Sequence, residues 1–187
     1  MPHRVRSTLA LGGYCAVIVS LTTFKAFFQI GYLWNPENQR ARDIRWIPLD
    51  DLFSGSWFKP LFEYGGNFAF FVPLGVLLFV QLRSKRAATL WGFALSVLVE
   101  IIQYVFALGR TDIDDLFFNT LGAWFGAWLA QRLGRRFDAV WHWLAIAVTV
   151  VFVVLVVLGP RLGDPDKVKD LSKPDAVMLD DTPVPKT

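Results

Sequence analysis

Seven polar residues stand out in a sequence otherwise dominated by apolar side chains: Asn67, Glu100, Gln103, Arg110, Asp112, Asp115 and Asn119. Ser96, Glu100 and Gln103 are separated by four and three, which sets them on one helical face. Asp112, Asp115, Asn119, Gly122 and Gly126 step by three, four, three and four, a second stripe. Carboxyls, carboxamides and a guanidinium in this arrangement support two kinds of chemistry. Arg110 can hold a phosphate or carboxylate while Asn67, Gln103 and Asn119 orient the ligand. Alternatively, Glu100 can serve as general acid or base, with Asp112 and Asp115 holding a divalent cation. Oxygen-only ligands would suit Mg²⁺ or Ca²⁺ rather than zinc.

Other chemistries lack their residues. There is no G-x-S-x-G, no Ser/His/Asp order and no H-E-x-x-H. His3 lies in the basic start and His142 far from the acidic stripe, and Cys15 is the only cysteine, so neither an intrachain disulfide nor a cysteine metal site is available. The net charge of +3 comes from Arg and Lys clusters that flank apolar blocks. Membrane topology explains those clusters, and no nucleic-acid role is supported.

The elements that must position these residues are membrane helices. Of 187 residues, 54% are hydrophobic, more apolar surface than a soluble core of this size encloses. They fall in five blocks of roughly 17–25 residues, each long enough to cross about 30 Å of hydrocarbon as a helix. The chain is therefore expected to be an all-α, integral membrane bundle of about five transmembrane helices. Residues 1–34 read as an uncleaved N-terminal anchor and 35–65 as an extracytoplasmic loop. Residues 66–159 read as a four-helix membrane region, and 160–187 as a disordered polar tail. Basic residues gather at Arg4 and Arg6, at Arg83, Lys85 and Arg86, and at Arg132, Arg135 and Arg136. The positive-inside rule then places the N-terminus in the cytoplasm and the tail outside, in a multi-pass protein of the cytoplasmic membrane.

With that orientation the unusual residues share the outer layer. Glu100 lies roughly 12 Å below the last apolar residue of its helix, at 1.5 Å per residue. A carboxyl at such depth costs on the order of 2.5–3.5 kcal/mol on insertion scales and normally faces a partner or a wet cavity. A salt bridge to Arg110 and a protonated carboxyl both remain open. Thr111 and Asp114 fit a cap at the start of the fourth helix. Gly122 and Gly126 form G-x-x-x-G, which is expected to draw the fourth helix onto the third. Lys25, Trp34, Trp91, Trp141, His142 and Trp143 are expected near the interfaces.

These residues also carry a family likeness. Asn67 with Phe70-Phe71-Val72-Pro73-Leu74-Gly75, then Glu100-x-x-Gln103, then Arg110-x-Asp112-x-x-Asp115-x-x-x-Asn119-x-x-Gly122 resembles the VanZ-like membrane family. Arg45-Trp46-Ile47-Pro48-Leu49 is similar to its Asn-Leu-Ile-Pro-Phe segment, with Arg45 where Asn is usual. The likeness covers about residues 45–132. It implies a bacterial envelope protein, from a family whose named member is associated with low-level resistance to teicoplanin-type glycopeptides. The expected partners are the lipid bilayer and an envelope lipid or cell-wall precursor, bound in an outer-face polar pocket. The alternative is a membrane-embedded enzyme using Glu/Asp acid–base or Mg-type metal chemistry on an envelope lipid.

The orientation has a direct check. In a Cys15→Ser background, a cysteine introduced into the tail is expected to react with an impermeant thiol reagent on intact cells. Labelling only after lysis would overturn the assignment.

Overall fold

The computed structural model describes residues 3–23, 44–53, 57–106 and 111–158. Arg110, Lys25, Trp34 and the expected tail at 160–187 lie outside the described residues.

Five long helices form the bundle: α1 (His3–Thr23), α3 (Phe58–Leu82), α4 (Lys85–Phe106), α5 (Ile113–Leu133) and α6 (Asp138–Leu158). A four-residue helix α2 (Asp50–Phe53) precedes α3, and a 3₁₀ turn at Arg135–Phe137 joins α5 to α6. The fold is all-α, as expected, with one small addition. β1 (Ile44–Arg45) runs parallel to β2 (Thr111–Asp112), pairing Ile44 with Thr111 and Arg45 with Asp112. This pairing clips the segment before α2 to the start of α5.

Among the described residues, four helices are long and apolar enough to cross a membrane, over Arg4–Thr22, Pro60–Leu82, Lys85–Phe106 and Arg135–Leu158. Their lipid-exposed faces explain why Leu90, Leu98, Val150, Val153 and Val157 stay uncovered by protein. α5 matches them in length but not in apolar character, because it carries Asp114, Asp115, Asn119, Gln131 and Arg132. It is the helix set between α3 and α4. Ala123, Ala127 and Ala130 on it are at most 4% exposed.

Glycine permits that placement. A Cβ on Gly122 would collide with the Phe68 carbonyl oxygen, and one on Gly126 with that of Val72. A Cβ on Gly75 would strike the carbonyl oxygen of Ala123, whose own methyl fills the space left by Gly92 on α4. The G-x-x-x-G pair therefore faces α3, not α4 as its spacing suggested. The reason is that α5 meets both neighbours at once. The stripe from Asp112 to Gly126 runs along the crease between them and is divided among them.

α3 continues unbroken through Pro73, and Tyr14 on α1 donates to the Phe70 carbonyl at 3.1 Å. At the end where α3 turns into α4, Arg83 in a left-handed conformation (φ 54°) caps α3 and forms an ion pair with Asp138 at the start of α6. Ser7 on α1 donates to Gln81 on α3 nearby. Trp91 and Trp143 are exposed, as interface anchors would be, but His142 is 1% exposed and Trp141 turns its indole N–H into the protein. Both belong to the packed surface between α6 and its neighbours, where helix packing overrides the interfacial preference.

Thermal unfolding in detergent tests the crease. Gly126→Ala and Gly75→Ala are each expected to lose about 1–3 kcal/mol or more, because backbone lies where the methyl must go. Gly12→Ala, with open space around it, is expected to melt like the parent. Parent-like melting of both crease variants would mean that α5 does not lie against α3.

Candidate functional site

The site is built at the N-terminal end of α5. Asp112 has extended backbone (φ −126°, ψ 130°) and is the N-cap residue, its Oδ1 accepting from the Asp114 N–H at 2.9 Å. Its own N–H donates to Glu100 Oε2 at 3.2 Å, while the Thr111 hydroxyl reaches the Glu100 carbonyl oxygen at 3.4 Å. Glu100 is 7% exposed, so the carboxyl that sequence placed deep in a helix sits against the backbone that opens the next one. Burial raises the Asp112 carboxyl above its ordinary value, against the lowering effects of the Asp114 N–H and the Arg45 charge.

Asp114 takes a different part from the capping role expected of it. It is 4% exposed, and its Oδ2 accepts from the Leu49 N–H at 2.9 Å and from the Tyr64 hydroxyl at 2.8 Å. The Tyr64 ring stacks on Phe118, with centroids 4.7 Å apart. Leu49 has φ 59°, a left-handed conformation that a branched residue adopts only when held. Asp114 is thus the anchor of the 44–49 segment. Spacing could not identify it, because an acid in a first helical turn reads as a dipole or cap residue wherever its side chain points.

The remaining candidates converge on one cavity. Asn67 on α3 donates to Asp115 on α5. Asn119 on α5 donates from Nδ2 to Ser96 Oγ on α4 at 2.9 Å, and Gln103 on α4 donates from Nε2 to the Thr22 carbonyl on α1 at 2.9 Å. Asn67, Glu100, Gln103, Asp115 and Asn119 line a cavity of about 230 Å³ together with Thr22 and apolar residues. Gln103 Oε1 and Asn119 Oδ1 are buried there without a hydrogen-bond partner.

Glu100 also lines a second cavity of about 280 Å³ on the outer side of α4 and α5, with Trp46, Val97, Ile101, Tyr104 and Leu116 among its walls. Asp112 belongs to this outer cavity and Asp115 to the inner one. The two acids considered together as cation ligands are therefore directed to different surroundings. Among the described residues, no three His, Cys, Asp or Glu side chains gather as a metal site.

Of the sequence candidates, Asn67, Glu100, Gln103, Asp115 and Asn119 are brought together. Asp112 caps α5 with its side chain and meets Glu100 through its backbone N–H, Gly122 and Gly126 pack below, and Arg110 is outside the described residues. Thr22 and Tyr64 were missed, since nothing in their local sequence separates them from ordinary helix residues.

The segments that meet here come from distant parts of the chain, which makes the comparison with known proteins informative. The VanZ/LLP1 family model matches residues 11–134, a span that begins in α1 and ends after α5. Protein VanZ of Enterococcus faecium is 32% identical over 123 residues, covering 65% of this chain and 70% of the relative. No solved structure matches the chain. A match running through every helix that lines the inner cavity leaves no doubt about kinship: the chain belongs to the VanZ/LLP1 family.

Proposed function

We propose that this protein binds the polar end of a lipid-linked or cell-wall component in the inner cavity, from the extracytoplasmic side, and so acts as a glycopeptide-resistance-like envelope protein. The observation that carries this reading is the cavity itself. Five polar side chains from α3, α4 and α5 line it, inside a bundle where each such group is expensive to keep. Polar groups that served only as glue would satisfy one another. Here the side-chain oxygens of Gln103 and Asn119, two of the lining residues, are buried without a hydrogen-bond partner.

The orientation belongs to the same proposal. The cavity lies at the end of the bundle opposite the Arg83–Asp138 ion pair. The basic residues near that ion pair support a cytoplasmic position for it, with the cavity facing outward. The kinship with Protein VanZ supports the resistance-like role.

Glu100→Gln tests the reading. The substitution keeps size and one acceptor for the Asp112 N–H, so folded yield is expected to be retained. Teicoplanin resistance of a producing strain is expected to fall to the level of the strain lacking the protein. A variant with parental yield and parental resistance would remove Glu100 from the site.

A further inference from the structure

The outer cavity beside α4 and α5 differs in character from the inner one. Val97, Ile101 and Tyr104 on α4 are spaced by four and three, and Ile113 and Leu116 on α5 by three, so each helix gives it one wall. Its polar lining groups are engaged with the protein. The Glu100 carboxyl accepts from the Asp112 N–H, the Thr111 hydroxyl donates to the Glu100 carbonyl, and the Arg45 charge acts on the Asp112 carboxyl. Apolar side chain is what remains for a ligand.

Dimensions select the occupant. From Val97 to Tyr104 the wall runs about 10 Å along α4, at 1.5 Å per residue. A volume of about 280 Å³ over that length leaves a mean section of roughly 30 Å², whereas a helix about 10 Å across needs roughly 80 Å². A helix of another protein is too wide to enter, and a single hydrocarbon chain is not. The groove also opens where such chains are. Ile101 and Tyr104 are exposed, flanked by exposed Leu98 and Val105 on the lipid-facing side of α4.

The segment before α2 roofs one end of the groove. Arg45 and Trp46 line it, held there by the pairing of Ile44 with Thr111 and of Arg45 with Asp112, and by the Leu49 N–H bond to Asp114. Leu49 is kept at φ 59° in this arrangement, and backbone strain of that kind persists where position matters to function. Trp46 is 72% exposed, so its indole has an open face to lay on a chain. An ordinary boundary lipid touches a bundle on one side. A chain in this groove meets α4, α5 and the indole together.

We infer that the outer groove is a binding site for one hydrocarbon chain of a membrane lipid, seated between α4 and α5 and covered by Trp46, in the leaflet at the cavity end of the bundle. The site is separate from the inner cavity and does not require that cavity to bind anything. Lipid tails are as apolar as the groove walls, so close packing, and not exclusion from water, selects the bound chain.

Native mass spectrometry of the full-length protein in detergent, titrated with phosphatidylcholine, tests the inference with a head group of no net charge. One lipid is expected to stay bound at collision energies that strip all others. Val97→Phe and Ile101→Phe fill the groove and are expected to lose that lipid. Trp46→Ala is expected to raise the half-saturating lipid concentration roughly fivefold, the effect of truncating a packed aromatic. Val150→Phe and Val153→Phe, at exposed positions of α6, are expected to keep the parental response. With a phosphatidylcholine that carries a diazirine in one acyl chain, irradiation is expected to place the retained adduct on Ile101, Leu116 or Trp46.

Should Val97→Phe not yield folded protein, Ile101→Phe, at an exposed position, carries the test. A retained lipid unaffected by both groove substitutions would overturn the inference, and so would adducts confined to other helices. No retained lipid at any concentration would overturn it as well, and would leave the inner-cavity reading to its own test. In a Cys15→Ser background, disulfide-linked dimers through Ile101→Cys would assign the groove to a second copy of the chain instead.

Discussion

The approach of α5 to the backbone of α3 is the constraint on which the polar end of this bundle depends. Lipid provides no hydrophobic drive between helices, so association rests on close packing and interhelical hydrogen bonds. Gly122, Gly126 and Gly75 let main chain touch main chain, and Gly92 admits the Ala123 methyl from the other side. Above that contact, Asn67 reaches Asp115, and Ser96 reaches Asn119. A wider separation would leave these groups facing hydrocarbon or one another without contact.

The second constraint is that charge inside the bundle must be answered locally. The two ends do this differently. Near the basic loops, Arg83 meets Asp138 directly. At the cavity end, neutral donors also reach the acids: the Asp112 N–H reaches Glu100, and the Leu49 N–H and the Tyr64 hydroxyl reach Asp114.

Periodicity and block length were enough to read the apolar spans, because a span in lipid requires a continuous apolar run and a closed backbone. α3, however, starts at Phe58, inside the stretch read as a loop up to residue 65, since helix continues past the apolar run through residues 58–65. The joining of Ser96, Glu100, Asp112 and Asn119 across α4 and α5 was also legible, since a short connection makes the two helices antiparallel neighbours. What spacing could not convey was which neighbour each residue of α5 meets. Asp115, Gly122 and Gly126 turned toward α3, and Gln103 toward α1. A stripe on one helix defines a direction but not the number of helices lying in it. Asp114 was misread for a related reason. Its first-turn position suggested the helix end, whereas a contact with Leu49, 65 residues earlier, decides its place.

The modest hydropathy of α5 has a consequence for how the protein is made. Asp114, Asp115 and Asn119 fall in its first two turns, so the helix gains little by leaving the translocon alone. α3 and α4 precede it in the chain and already display Asn67, Ser96 and the glycine surfaces that receive it. Synthesis therefore supplies the acceptor groove before the segment that fills it, and α6, a more uniformly apolar helix, follows it in the chain. In this chain the order of the helices delivers α5 after both of the helices that receive it.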